Sequence, residues 1–213
     1  MTDAPLEARA TITRYTAAQR INHWIVALCF ILLALSGLSM FDPGLFFLSN
    51  LFGGGEATRA IHPWIGSVLL VGFAVLFIRF VSHNFPSWDD LAWLLKINKV
   101  LANQEEGVPE VGRNNAGQKF VFWSMTWLIL ILFATGIVIW DQYFFDYTTI
   151  ELKRWAVLIH SVAAIIAITV WIVHVYAALW IRGSMDAMLH GKVTPGWSFR
   201  HHRKWLRDLA RNR

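Results

Sequence analysis

The sequence predicts an all-α membrane protein, a four-transmembrane-helix bundle formed as a single domain over residues 1–213, with both termini cytoplasmic. Three observations predict it. Of the 213 residues 56% are hydrophobic, with twelve Trp and fifteen Phe, which is more apolar surface than a soluble core of this size needs. Residues 21–41, 60–78, 120–140 and 155–181 contain no Asp, Glu, Lys or Arg, and a bilayer is crossed by ~20 apolar residues in a helix. The 19 Lys and Arg residues gather on alternate connections.

Taken in order, the N-terminal arm, residues 1–20, carries Asp3, Glu7, Arg9, Arg14 and Arg20. It has no short apolar core with a small-residue cleavage site, so it does not read as a removable signal peptide. The first helix, about 21–41, holds Cys29, the one cysteine. A lone thiol closes no intrachain disulfide, and no C-x-x-C-H run exists to attach a c-type haem, so Cys29 reads as a small apolar residue. The following loop combines Pro43, Gly53, Gly54 and Gly55 with several Phe and Leu, a surface suited to contact with another protein.

The second helix covers about 60–80. The long connection after it contains an amphipathic segment, about 88–103, which opens with Asp89 and Asp90, carries Lys96 and Lys99 later, and spaces Leu91, Leu94, Leu95, Val100 and Leu101 helically. It reads as a helix on the inner membrane surface or against a partner, ended by residues 105–109. The third helix covers about 119–141 and the fourth about 153–182. Starting from the N-terminus, one side of the membrane receives three basic residues from the arm, five from residues 79–119 and eight from residues 182–213. The other side receives Arg59, Lys153 and Arg154. This bias places both termini in the cytoplasm. The net charge of +5 is then a topology signal with attraction to anionic lipid headgroups, and nucleic-acid binding is not implied. No Gly-rich phosphate loop, zinc-ligand spacing or Ser/His/Asp arrangement is present.

The chemistry lies in the histidines. His160 and His174 are fourteen residues apart in the uncharged fourth span, which a helix converts to ~21 Å of rise at ~40° off a common face. His23 stands at the inner start of the first helix and His62 at the outer start of the second. By depth, His23 matches His174 and His62 matches His160. Imidazoles inside a membrane are costly and read first as functional. Two pairs at two depths are what two six-coordinate b-type haems need; iron held by two histidines keeps no open position and carries electrons. Arg20 and Arg59 each precede a candidate ligand by three residues, one helical turn away, where a guanidinium would meet an anionic haem propionate. Snorkelling anchors are the bland alternative. His83, His190, His201 and His202 fall in or beside basic segments and read as solvated or facing headgroups. Gly37, Gly66, Gly72 and Gly136 lie within spans, where they either admit a flat macrocycle or let helices approach.

The motifs RINHW (20–24), RAIHPWIG (59–66), VGRNNAGQK (111–119), LIHSVAA (158–164), IVHVYAALWIRGS (172–184) and HHRKW (201–205) run in the order found in the gamma subunit of membrane-bound respiratory formate dehydrogenase. The chain resembles that family over about residues 12–207. The resemblance implies a diheme cytochrome b bound to an iron–sulfur beta subunit and a molybdenum or tungsten catalytic alpha subunit, with formate oxidised on the alpha subunit, outside this chain. It implies His62 and His160 as ligands of the outer haem and His23 and His174 of the inner one. Electrons would enter at the outer haem, and quinone, menaquinone or ubiquinone, would be reduced at the inner one. Asn115, Gly117 and Gln118, together with His174, would line the quinone pocket; the family often has an aromatic before Asn115, where this chain has Asn114. From the residues alone, this run equally starts the third helix as a cap. Moving an electron inward against the potential costs ~2.3 kcal/mol per 100 mV, which the redox drop offsets. Two other readings stand: the b-type cytochrome of a nickel–iron hydrogenase or related reductase, and a haem-free transporter of metal or protons.

Overall fold

The computed structural model describes residues 10–102, 104 and 107–211. Asp3, Glu7 and Arg9 of the arm, Asn103 at the end of the amphipathic segment, Glu105 where that segment was expected to break, and Arg213 lie outside the described residues. The elements in order are β1 (Ile12–Thr13), α1 (Ala17–Phe41), a 3-10 turn (Pro43–Phe52), α2 (Gly55–Phe80), α3 (Trp88–Leu94), α4 (Ile97–Leu101), α5 (Ala116–Ile139), α6 (Asp141–Phe144), α7 (Ile150–Trp180), α8 (Ser184–His190), β2 (Lys192–Val193), α9 (Pro195–His201) and α10 (Arg203–Arg211). Helices α1, α2, α5 and α7 are each long and apolar enough to cross a membrane.

These helices outrun the uncharged stretches because charge marks the hydrocarbon boundary, whereas a helix continues until something caps it. Asp42 opens the 3-10 turn by accepting from the Gly44 N–H at 2.7 Å. The turn ends at Gly53 and Gly54, whose φ values of 90° and 100° lie in the left-handed region open to glycine. Only past them does α2 begin. Pro63 inside α2 has no N–H, so the Arg59 carbonyl loses its helical donor.

The chain divides into two compact units, one of residues 21–79 and 124–173, the other of residues 1–20, 80–123 and 174–213. The first is the membrane bundle. Its core takes one residue from each long helix: Phe30, Leu69, Ile129 and Ala167, at 7%, 4%, 3% and 1% exposure. Ala167 is small enough to let Phe30 and Trp171 bring their rings to 5.9 Å. Where α1 and α2 approach, Asn22 donates to the Gly72 carbonyl at 3.0 Å, and a Cβ on Gly72 would stand 3.0 Å from Val26. Gly72 is therefore a helix-approach glycine. Outward-turned Ile, Leu, Val and Trp side chains are exposed along all four helices, the surface a bilayer would cover.

The second unit adds what the helical reading lacked, a two-stranded antiparallel ladder pairing Ile12 with Val193 and Thr13 with Lys192. Over it pack Ala187, Val193 and Trp205, with Tyr15, Trp197 and Leu209. Arg14, 2% exposed, donates to the Arg113 carbonyl at 2.7 Å and to His202 Nε2 at 3.2 Å, its guanidinium 4.8 Å from the Trp205 ring centre. His202 in turn donates from Nδ1 to the Gly112 carbonyl at 2.8 Å. The expectation of a solvated His202 is corrected: the ring is buried, because a guanidinium and a carbonyl satisfy both its nitrogens.

The amphipathic segment is also corrected. It forms two short helices, α3 and α4, broken at Leu95 and Lys96. Lys96 leaves helical geometry at φ −109° and ψ 19° and donates its ammonium to the Gly107 carbonyl. Trp93 is buried, while Leu91, Leu94 and Leu95 stay exposed.

The buried histidine makes this second unit acid-sensitive. Burial, then the Arg14 guanidinium, push the His202 ring from its ordinary 6.5 down to about 3. Between those values the unfolded ring takes a proton that the folded ring refuses, so stability falls as pH drops through the window and is flat above it. The expected loss is about 1.4 kcal/mol per pH unit inside the window. Protease cleavage within residues 195–211, measured from pH 7.5 to 5, should rise in the wild type and rise much less in His202→Gln.

Candidate functional site

The membrane unit brings His62 of α2 and His160 of α7 together, edge to face. Their ring centres are 6.3 Å apart with planes at 61°. Two metal–imidazole bonds of ~2 Å plus a ring radius at each end add to roughly 6 Å, so the rings stand at the separation of two axial ligands on one ion. Both rings are half-buried, whereas their neighbours Ile61, Trp64 and Ile159 are exposed; the polar side chains turn inward, as they must in hydrocarbon.

Each ring is held from behind by a hydroxyl that sequence reading missed. Ser36 of α1 lies 2.7 Å from His62 Nδ1, and its hydroxyl donates to the Leu32 carbonyl at 2.7 Å. Thr135 of α5 lies 2.9 Å from His160 Nδ1 and donates to the Ile131 carbonyl at 2.7 Å. A hydroxyl has one proton, and here a carbonyl takes it. The hydroxyl oxygen is then open to accept from an Nδ1–H, the tautomer that leaves the Nε2 lone pair for a metal. A glycine follows each hydroxyl residue. A Cβ on Gly37 would stand 3.6 Å from His62 Cε1, and one on Gly136 would stand 3.6 Å from His160 Cε1. The span glycines thus separate: Gly37 and Gly136 flank the imidazoles, while Gly72 serves helix approach and Gly66 faces Leu33 at 3.9 Å. The signal available in the sequence was the pair of dipeptides Ser36-Gly37 and Thr135-Gly136 inside uncharged runs.

The other two candidate ligands fall in different units, His23 in the bundle and His174 in the second unit. Both are half-buried, and the His23 ring sits edge-on to Trp24 at 5.6 Å. Arg59 is exposed and lines a cavity of about 460 Å³ with Ser39, Asp42, Phe46 and Gly55. Arg20 donates to the Leu189 carbonyl, and its Nε is buried with no hydrogen-bond partner among the described residues. A carboxylate is the kind of group that would satisfy such a donor. The His62–His160 pair, at ligand spacing, therefore fits a haem.

Asn115, Gly117 and Gln118 open α5. The Asn115 side-chain oxygen accepts from the Gln118 N–H at 2.8 Å, and the Gln118 side-chain oxygen accepts from the Asn115 N–H at 3.0 Å. This is a reciprocal helix cap. Asn115 also lines a cavity of about 480 Å³ bounded by Asp90, Trp93, Arg113, Asn114 and Lys119 among others, and Gly117 and Gln118 are not among its walls. Asp90 and Lys119 form an ion pair at 2.7 Å there. Burial raises the Asp90 carboxyl, but hydrogen bonds from Lys119 and Ser87 outweigh it and hold the group below the ordinary carboxylate value.

Four apolar helices with inward-turned imidazoles on opposing faces are the architecture of a membrane-bound b-type cytochrome. The chain belongs to the prokaryotic cytochrome b561 family, whose model matches residues 14–191, and it is accordingly a multi-pass membrane protein of a b-type haem family. It is 41% identical, over 97% of both chains, to the cytochrome b556(Fdo) subunit of formate dehydrogenase from Escherichia coli. It is 42% identical to the nitrate-inducible cytochrome b556(Fdn) subunit of the same organism, over 94% of this chain and 92% of that one. A Haemophilus influenzae formate dehydrogenase cytochrome b556 subunit is 35% identical over 92% of this chain and 83% of its own length.

Proposed function

We propose that this chain is the diheme cytochrome b subunit of a formate dehydrogenase, carrying electrons from an iron–sulfur subunit across a bacterial inner membrane to quinone on the cytoplasmic side. The observation that carries the reading is the His62–His160 pair with its rings 6.3 Å apart. The 41–42% identity to formate dehydrogenase subunits supports that partner over a hydrogenase.

Haem, when bound, supplies a one-electron iron couple. His62 and His160 would hold one haem through Nε2, and His23 and His174 a second. Arg20 and Arg59 would meet propionates at the two membrane boundaries. At the start of α5, the Asn115 and Gln118 oxygens are used in the cap, but each side chain keeps an NH2 group. Those amides would donate to the quinone carbonyl oxygens, and the cavity beside Asn115 would admit water and protons from the cytoplasm.

Three outcomes are expected. His62→Ala and His160→Ala should each deplete one haem and His23→Ala and His174→Ala the other, read by pigment quantitation and spectra; the pairing is wrong if His62→Ala and His23→Ala deplete the same one. A reporter fused at residue 213 should be active only in the cytoplasm, as the bias of basic residues requires, and periplasmic activity would reverse the topology. Asn115→Asp keeps the capping oxygen but removes the donor, so quinone reduction should slow several-fold to tenfold, the scale of one hydrogen bond, with both haems retained. Unchanged quinone reduction in Asn115→Asp and in Gln118→Leu would leave this run as a helix cap alone.

A further inference from the structure

The two imidazole–hydroxyl contacts in the bundle are built twice from different helices, and that repetition needs explaining. Serine and threonine in apolar helices ordinarily satisfy themselves on the carbonyl four residues back. Ser67, Ser161 and Thr169 do so in α2 and α7, donating to Pro63, Val157 and Ile165 at 2.9–3.0 Å. Ser36 and Thr135 make the same backward bond and also stand at hydrogen-bond distance from an imidazole Nδ1. In both cases the hydroxyl residue precedes the glycine that leaves the ring edge open. Ser36 is fully buried, so its polar atom is there for a partner rather than for water.

We infer that Ser36 and Thr135 are positioning residues for the His62–His160 pair: each hydroxyl fixes its ring as the Nδ1-protonated tautomer, and the carbonyl behind it sets the basicity of Nε2 and so the reduction potential of the iron held there. The inference rests on the reading of His62 and His160 as ligands. A neutral imidazole has two tautomers, and in one of them the metal-facing nitrogen carries the proton. A fixed acceptor at Nδ1 removes that alternative. The acceptor is also strengthened, because a hydroxyl that donates to a carbonyl is polarised and accepts more strongly in turn. Pull on the Nδ1 proton makes Nε2 more electron-rich, which favours the ferric ion. The hydroxyls therefore lower the potential, and they do so without placing a carboxylate inside the membrane, where a charge would be costly.

The test is a potentiometric optical titration of the purified complex carrying Ser36→Ala, Thr135→Val or both. Valine keeps the shape of threonine, so Thr135→Val removes the hydroxyl with little change in packing. At fixed ambient potential each variant should shift the ferrous-to-ferric ratio of one haem several-fold toward ferrous, where tenfold is ~59 mV for a one-electron couple. The double variant should shift it further, the second haem should stay put, and Thr135→Ser should restore the wild-type value. Loss of that haem in Thr135→Val with retention in Thr135→Ser would equally support the role. Full haem content with an unmoved potential in both single variants overturns it. His62→Ala is the control that separates the two layers of argument: failure to deplete a haem defeats the ligand reading and the inference together, whereas depletion with silent hydroxyl variants defeats the inference alone.

Discussion

A polar group inside hydrocarbon has no water to fall back on, and leaving it without a partner costs several kcal/mol. The arrangement of the membrane unit follows from that constraint. His62 and His160 are tolerated because one nitrogen of each is spent on a hydroxyl and the rings lie against each other inside the bundle. Ser36 and Thr135 are tolerated because each is spent on a carbonyl of its own helix. Each chain of donors ends in the backbone, the one acceptor that every helix supplies in surplus when bonds are shared. The apolar surface left outward is then free to be uniformly greasy, and the exposed Ile, Leu, Val and Trp side chains show that it is.

At the centre of the membrane unit lies its apolar core. Ala167 stands seven residues from His160 and Leu69 seven from His62, so this core sits ~10 Å of helical rise from that pair. Close packing there fixes the helices against one another and keeps water out. On the proposed reading it is also the medium an electron must cross, and a dry, rigid layer keeps that distance constant while denying protons a path.

The second unit meets the opposite problem, holding polar chain ends at an aqueous boundary. Arg14 joins them: its guanidinium reaches the Arg113 carbonyl and the His202 ring, and Arg113 returns a bond to the Arg14 carbonyl at 2.9 Å. Arg113 lies two residues before the Asn115–Gln118 cap. The N-terminal arm, the C-terminal helices and the start of α5 are thereby tied to one buried cation, whose charge is spread over the faces of Tyr15, Trp197 and Trp205.

How much of this was legible depended on the range of each interaction. The spans were legible because absence of charge is local, as was the depth match of His62 with His160, which needs only helical rise. The start of the second helix was not, since it is set by the left-handed Gly53 and Gly54, a feature with no hydropathy signal, whereas the cap at Asn115 was readable from residue type. His202 looked solvated among Arg200, His201 and Arg203, because its partner Arg14 is 188 residues away. Ser36 and Thr135 were missed for a subtler reason: apart from the glycine that follows each, they look in sequence like Ser67 or Thr169, whose hydroxyls end on a carbonyl. What separates them is the neighbour across the helix interface, and that neighbour is an imidazole only because helix lengths and capping set α2 and α7 in register with α1 and α5.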